Sequence, residues 1–149
     1  MESVYSLRNI VFLTKRLRRH LWSRVEKQAV SGGVTALQWS VLSGIASGEG
    51  QGVSDLSQAF DHDPGALSRS VNQMVEKGLL SYTQGQDDRR RVYLQLTAEG
   101  HQLFETLKEG VYRATADIRA ALSDAEFCQL EALLTKANSA IARAEAPAS

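Results

Sequence analysis

Cysteine occurs once, at Cys128, so no intramolecular disulfide can form. No CxxC pair or Cys/His cluster offers the spacing of a structural zinc site, and His20, His62 and His101 are too scattered along the chain to be read as metal ligands. No apolar run approaches the ~20 residues of a membrane span. Arg8 and Lys15 interrupt the early apolar residues, which is not the layout of a signal peptide. The expectation is a protein of the reducing cytoplasm with no membrane partner. A nucleophile elbow, a phosphate-binding loop and paired catalytic carboxylates are all missing, so neither an enzyme nor a cofactor is expected. Net charge is missing too: 17 Lys and Arg stand against 17 Asp and Glu. A whole-chain basic footprint is therefore excluded, and any affinity for nucleic acid must come from local placement. What remains is a chain of 149 residues, without internal repeats, long enough to bury one real core.

Charge is unevenly spread. Residues 1–28 carry seven Lys/Arg against Glu2 and Glu26, and the rest of the chain carries the compensating deficit. Residues 53–100 hold five basic side chains (Arg69, Lys77, Arg89, Arg90, Arg91) against seven acidic ones. Three of those five cations are consecutive.

Residues 4–28 have helical periodicity, with Leu7, Ile10, Val11, Leu17, Leu21, Trp22 and Val25 on one side. Tyr5 and Phe12 lie on the other side, among Arg8, Lys15, Arg16 and Arg19. A helix apolar on two sides needs two neighbours, and a second subunit is an economical source of one. Ser31-Gly32-Gly33 ends this element. Thr35-Ala36-Leu37-Gln38 is a capping box that opens a helix burying Leu37, Val41, Leu42 and Ile45. Gly48, Gly50 and Gly52 close it, and Ser54 is expected to cap a short helix burying Leu56 and Phe60.

The segment from Val53 to Gly100 says most about function. Asp63 is an N-cap with Pro64 at the first helical position, where a missing N–H costs nothing. From Pro64 to Lys77 a narrow stripe of Leu67, Val71, Met74 and Val75 faces inward, while Gly65, Ala66, Arg69, Asn72, Gln73 and Glu76 face outward with Ser68 on the flank. Gly78 stops the helix. Ser81–Gln84 and Val92–Leu96 form a hairpin whose tip carries Asp87-Asp88-Arg89-Arg90-Arg91. A helix presented by a turn beside an arm loaded with guanidinium groups can touch two grooves of duplex DNA at once. After the hairpin, Thr97 caps a long helix with a stripe from Leu103, Phe104 and Leu107 to Ile118 and Leu122. A second capping box, Ser123 to Glu126, opens a last helix bearing Phe127, Leu130, Leu134, Ala137 and Ile141.

The fold expected is mainly α with a small β-hairpin wing. A winged helix-turn-helix lobe at 35–97 is flanked by dimerisation helices at 4–30 and 98–143, in a single domain of 1–149. Surplus amphipathic helices at both ends are most simply explained by an intertwined homodimer, whose two-fold axis matches a palindromic site.

Several stretches together resemble the MarR family of bacterial transcriptional regulators. They are Phe60-x-x-Asp63-x-x-x-Leu67-Ser68-x-x-Val71, Glu76-Lys77-Gly78-Leu79-Leu80, Asp88-Arg89-Arg90 and Leu94-x-Leu96-Thr97-x-x-Gly100. The resemblance runs from about Tyr5 to Arg143, and its most specific part is the wing and the motif that follows. It implies a dimer on a palindromic operator in double-stranded DNA, usually repressing nearby genes, often released by a small aromatic or anionic effector or by oxidation. It also implies that the stretch from Pro64 to Gln73 enters the major groove. Asp88 would orient Arg90 into the minor groove, with Arg89 and Arg91 beside the phosphates. Where many relatives carry arginines at the base of the wing, this chain has Ser81, Tyr82 and Thr83.

The DNA-contacting set is thus Pro64, Ala66, Ser68, Arg69, Asn72, Gln73, Asp88, Arg89, Arg90 and Arg91. Plainer alternatives exist for most of these. Arg69 either reads a guanine edge or pairs with Asp63 or Glu76 on its own helix. Asn72 and Gln73 recognise adenine or a phosphate, and Ser68 suits a phosphate. The arginine run either contacts DNA or forms salt bridges with Asp87 and Asp88, which contribute little when exposed. Phe12, Arg16, Arg19 and Trp39 are candidates for an effector cleft, against a surface role for the arginines and a core role for Trp39. A thiol switch at Cys128 has little behind it. The competing function is a protein-interaction module on the same winged scaffold, since a fold does not fix a function.

Overall fold

The computed structural model describes residues 2–85 and 92–145. Among these, the order is α1 (Glu2–Ser31), α2 (Ala36–Ser47), α3 (Val53–Phe60), α4 (Pro64–Glu76), β1 (Leu80–Gln84), β2 (Val92–Leu96), α5 (Ala98–Ala114), α6 (Ala116–Ala121) and α7 (Asp124–Glu145). The chain divides into two compact units, Met1–Ala114 and Thr115–Ser149. The mainly helical architecture with one antiparallel hairpin is the one expected.

The first unit is built around α2. Its start is fixed locally: the Thr35 hydroxyl accepts from the Gln38 backbone N–H, and the Gln38 side chain accepts from the Thr35 N–H, each at 3.1 Å. This satisfies two N–H groups that a helix start otherwise leaves without partners. Leu42 of α2, Leu56 of α3 and Leu67 of α4 are completely buried, as are Val41, Val71 and Met74. Each such side chain contributes about 1.5–3 kcal/mol of burial. The three helices therefore hold one another at a fixed geometry. Trp39 stacks on Phe104 of α5 with ring centroids 5.5 Å apart, which places α5 against the same core.

Three details differ from the sequence reading. The N-cap of α3 is Gly52, not Ser54: the Gly52 carbonyl accepts from the Leu56 N–H, and Ser54 stands exposed inside the helix. From Arg8 onward, the apolar side of α1 meets the core over its later turns, at Val25 and Ala29. Ile10 and Val11 are 54% and 66% exposed, and so are their neighbours Phe12 and Leu13 at 57% and 60%. Finally, the long helix after the hairpin stops at Ala114. Thr115 leaves helical geometry at φ −111° and ψ 9°, and the Arg24 guanidinium donates to the Ala114 carbonyl at 3.1 Å. A cation bound to the last carbonyls is favourable at the negative end of a helix dipole.

In the second unit, α7 opens on the expected box. Glu126 Oε2 accepts from the Ser123 backbone N–H and from its hydroxyl, both at 2.8 Å, and the Glu126 N–H donates back to Ser123 Oγ. The backbone and hydroxyl donors of Ser123 hold the Glu126 carboxyl below its ordinary value. A lowered carboxyl contributes stability above the unfolded-state pKa and loses it as pH falls through the folded value. Ser123→Ala is expected to raise the Glu126 pKa in a side-chain NMR titration, and to reduce the acid dependence of this helix start.

Candidate nucleic-acid interface

The turn between α3 and α4 is tightly specified. Asp61 adopts the left-handed conformation at φ 51°, ending α3 with the His62 N–H donating to the Ser57 carbonyl at 3.1 Å. The Ser57 hydroxyl donates to the His62 carbonyl at 2.7 Å, closing the turn from both sides. The His62 ring lies against Trp22 of α1, 6.0 Å between centroids. Asp63 then caps α4, its Oδ2 accepting from the Ala66 N–H at 2.8 Å, with Pro64 in the first turn. Capping by carboxylate also complements the positive end of the helix.

The two faces of α4 divide as its periodicity predicts. Leu67, Ser70, Val71 and Met74 are buried, while Pro64, Arg69, Asn72 and Gln73 are exposed and Ala66 and Ser68 half-buried. The alternative in which Arg69 pairs along its own helix is not what the structure contains: among the described residues no ion pair joins it to Asp63 or Glu76. Its side chain is exposed. Asn72 and Gln73 are held from the protein side. The Tyr82 hydroxyl donates to Asn72 Oδ1, and Gln38 Nε2 donates to Gln73 Oε1, each at 3.3 Å.

The wing is set against this helix by backbone. The Gly78 N–H donates to the Val75 carbonyl, and the Leu79 N–H to the Met74 carbonyl, a closing turn that needs φ +73° at Gly78. The strands pair from Leu80↔Leu96 to Gln84↔Val92. At the base, the Thr97 N–H donates to the Leu79 carbonyl and the Thr97 hydroxyl to that of Gly78. Thr97 Oγ1 also accepts from the Gly100 N–H, capping α5 as expected. The Leu94 N–H donates to the Gln51 carbonyl at 2.7 Å, tying the second strand to the loop before α3. Asp88, Arg89, Arg90 and Arg91 lie outside the described residues, on the segment 86–91 that joins the two strands.

Over residues 53–85, Arg69 and Lys77 face Asp55, Asp61, Asp63 and Glu76, so the helical part of this surface is not cationic. Positive charge is concentrated in the three arginines of the strand connection. Two functional candidates escaped the sequence reading. Tyr82, 50% exposed, stands where an arginine was missed and fastens the wing's base to α4. Gln38 was recognised as half of a capping box, but its contact with Gln73 joins residues 35 apart and no local pattern announces it.

Of the effector candidates, Phe12 and Arg16 are together, the guanidinium 5.6 Å from the ring centroid on the exposed side of α1. Arg19 is exposed on the same helix. Trp39 is a core residue, 9% exposed and stacked on Phe104.

Comparison with known proteins places this geometry. Residues 32–91 match the MarR family profile. A protein of Thauera aromatica assigned to transcriptional regulation of the hcr operon is 38% identical over 104 residues, which cover 70% of this chain and 63% of that relative. The match thus spans less than two thirds of that relative's length. The transcriptional repressor MdtR of Bacillus subtilis is 27% identical over 83% of this chain and 77% of its own. Among solved structures, CouR of Rhodococcus jostii bound to p-coumaroyl-CoA superimposes with a TM-score of 0.76 at 26% identity, over 84% of this chain and 88% of CouR.

Proposed function

Because the chain belongs to the MarR family of winged helix-turn-helix transcriptional regulators, and is a regulator rather than an enzyme, we propose that it acts as a homodimer that binds a palindromic operator and represses adjacent genes until a small effector releases it. The observation that carries this reading is the outward face of α4. It is capped at its start by Asp63, carries an Arg69 with no ion pair among the described residues, and is bonded through Asn72 to the base of a wing whose connection holds three arginines. A short polar helix of this kind fits a major groove while the arginines lie over phosphates or in the minor groove beside it.

Dimerisation is supported by the apolar side chains that the single chain leaves uncovered. Ile10, Val11, Phe12 and Leu13 are exposed on α1, and Leu133 and Ile141 on α7. Exposed apolar surface on a helix marks an interaction site, and a second copy of the same helices is its self-complementary occupant under two-fold symmetry. We accordingly assign the helices at 4–30 and 98–143 to dimerisation and 35–97 to DNA. For the effector, the CouR complex with p-coumaroyl-CoA is a chemical guide. An aromatic or anionic molecule suits Phe12, Arg16 and Arg19, while the burial of Trp39 against Phe104 supports a core role for that residue.

A gel-shift series on the DNA upstream of the gene tests this. The regulator is expected to bind a palindrome with half-sites roughly 34–36 Å apart, with affinity falling steeply as salt rises because phosphate contacts release counterions. Weak binding indifferent to sequence would instead support a protein-interaction module.

A further inference from the structure

A hydrogen-bond relay reaches the outer face of α4 from inside the protein. Gln38 is buried, 2% exposed, and the two ends of its amide have different partners. Its Oε1 accepts from the Thr35 backbone N–H at 3.1 Å. A backbone N–H can only donate, so the amide is oriented by chemistry, with its oxygen toward Thr35 and its NH2 away. That NH2 donates to Gln73 Oε1 at 3.3 Å. The Gln73 oxygen is therefore engaged on the protein side, while the NH2 of this exposed residue has no partner among the described residues. Asn72 next to it is engaged in the same sense, its Oδ1 accepting from Tyr82.

We infer that Gln38 sets the hydrogen-bond polarity of the DNA-facing helix: through it, Gln73 turns its NH2 outward and donates to an acceptor on the duplex, either the O6/N7 edge of guanine or a phosphate oxygen. Two-point recognition of adenine at Gln73 is disfavoured, because it needs the amide oxygen, already bonded inward, to accept from N6 as well on its second lone pair. Gln38 touches no DNA in this scheme and is a positioning residue. The inference rests on the DNA-binding reading above.

Gln38→Glu tests it. Glutamate preserves the capping box, since it also accepts from the Thr35 N–H, but it replaces the inward donor with an acceptor. Gln73 must then turn its NH2 inward and its oxygen outward. Operator affinity is measured by fluorescence anisotropy for the parent, Gln38→Glu, Gln73→Ala and the double variant across a salt series. Gln38→Glu is expected to weaken operator binding by about three- to tenfold, the value of one hydrogen bond. It should add nothing once Gln73 is alanine; the salt slope should stay unchanged in the uncharged Gln38→Met, because a neutral amide displaces no counterion. Site selection separates the two acceptors. A changed preference at one base position, from guanine toward adenine or cytosine, places the acceptor on a base; a uniform loss places it on phosphate. Gln38→Met, which buries no charge, should broaden preference at that position or weaken binding, again only when Gln73 is present.

Side-chain amide exchange by NMR in the free protein reads the relay without DNA. Slow exchange at Gln38 and fast exchange at Gln73 are expected in the parent, with Gln73 slowed in Gln38→Glu. A Gln38→Glu protein that binds as the parent does, or loses as much without Gln73 as with it, overturns the inference. Equal exchange at the two amides overturns it as well. A parent that shows the exchange pattern but binds no operator overturns the DNA-binding reading and this role with it.

Discussion

Gly100→Ala is expected to destabilise the protein by about 3 kcal/mol, one of the largest effects available from a single methyl group. Gly100 opens α5 and is buried against the end of α4, where a Cβ would be driven into the Leu79 carbonyl oxygen, with the Leu79 carbonyl carbon 3.1 Å away. That carbonyl cannot step aside, because it accepts the Thr97 N–H while the neighbouring Gly78 carbonyl accepts the Thr97 hydroxyl. Four residues thus lock the exit of α4 to the base of the wing and the start of α5. Glycine-to-alanine changes in unstrained helices usually stabilise, by about 0.4–1 kcal/mol, so the sign is diagnostic. Gly110→Ala is the internal control. Its added Cβ would press closest on the terminal oxygen of the flexible Gln28 side chain, which can rotate away. A urea-unfolding midpoint that drops sharply for Gly100→Ala and stays near the parent for Gly110→Ala, at unchanged m, checks the account. Equal, small shifts would mean that the wing is not keyed to α4 through Leu79.

The features legible in the sequence are those decided within a few residues. Both capping boxes, the Asp63-Pro64 start of α4, the Gly78 stop and the Thr97 cap are interactions between positions at most five apart, and each is present. The outward face of α4 was legible by subtraction, once a period of 3.6 assigned Leu67, Val71 and Met74 to the core. Ser70 joined them unannounced, since a small hydroxyl residue carries no apolar signal. What sequence periodicity cannot supply is the identity of the neighbour. It marks Ile10 and Val11 as apolar without saying that the single chain leaves them bare. It cannot link Gln38 to Gln73 or Tyr82 to Asn72, because those pairs exist only after α2, α4 and β1 have packed. The end of α5 was missed for the same reason: the Arg24 guanidinium that meets Ala114 comes from a helix 90 residues away.

Arg90→Ala and Arg69→Ala are expected to fail in different ways, and the contrast tests the division of labour between wing and helix. The helical surface carries more acidic than basic side chains over 53–85, so it has little generic attraction for phosphate. Nonspecific affinity must then come mainly from the arginines at 89–91. Losing Arg90 should weaken binding on every duplex, operator or not, and lower the slope of log K against log salt by about 1. If the arginine enters the narrow groove as the family resemblance implies, an A·T preference at the flanks of the operator should fade with it. Losing Arg69 should leave nonspecific binding nearly intact. On the operator it should cost about 1–3 kcal/mol, with relaxed preference at one base position in each half-site. Arg69 is suited to that role because its donors are not spent on Asp63 or Glu76. Anisotropy on operator and scrambled duplexes at several salt concentrations separates the two variants. If the Arg69 loss appeared equally on scrambled DNA, the residue would be a phosphate contact and the reading of sequence would have to move to Ser68, Asn72 and Gln73.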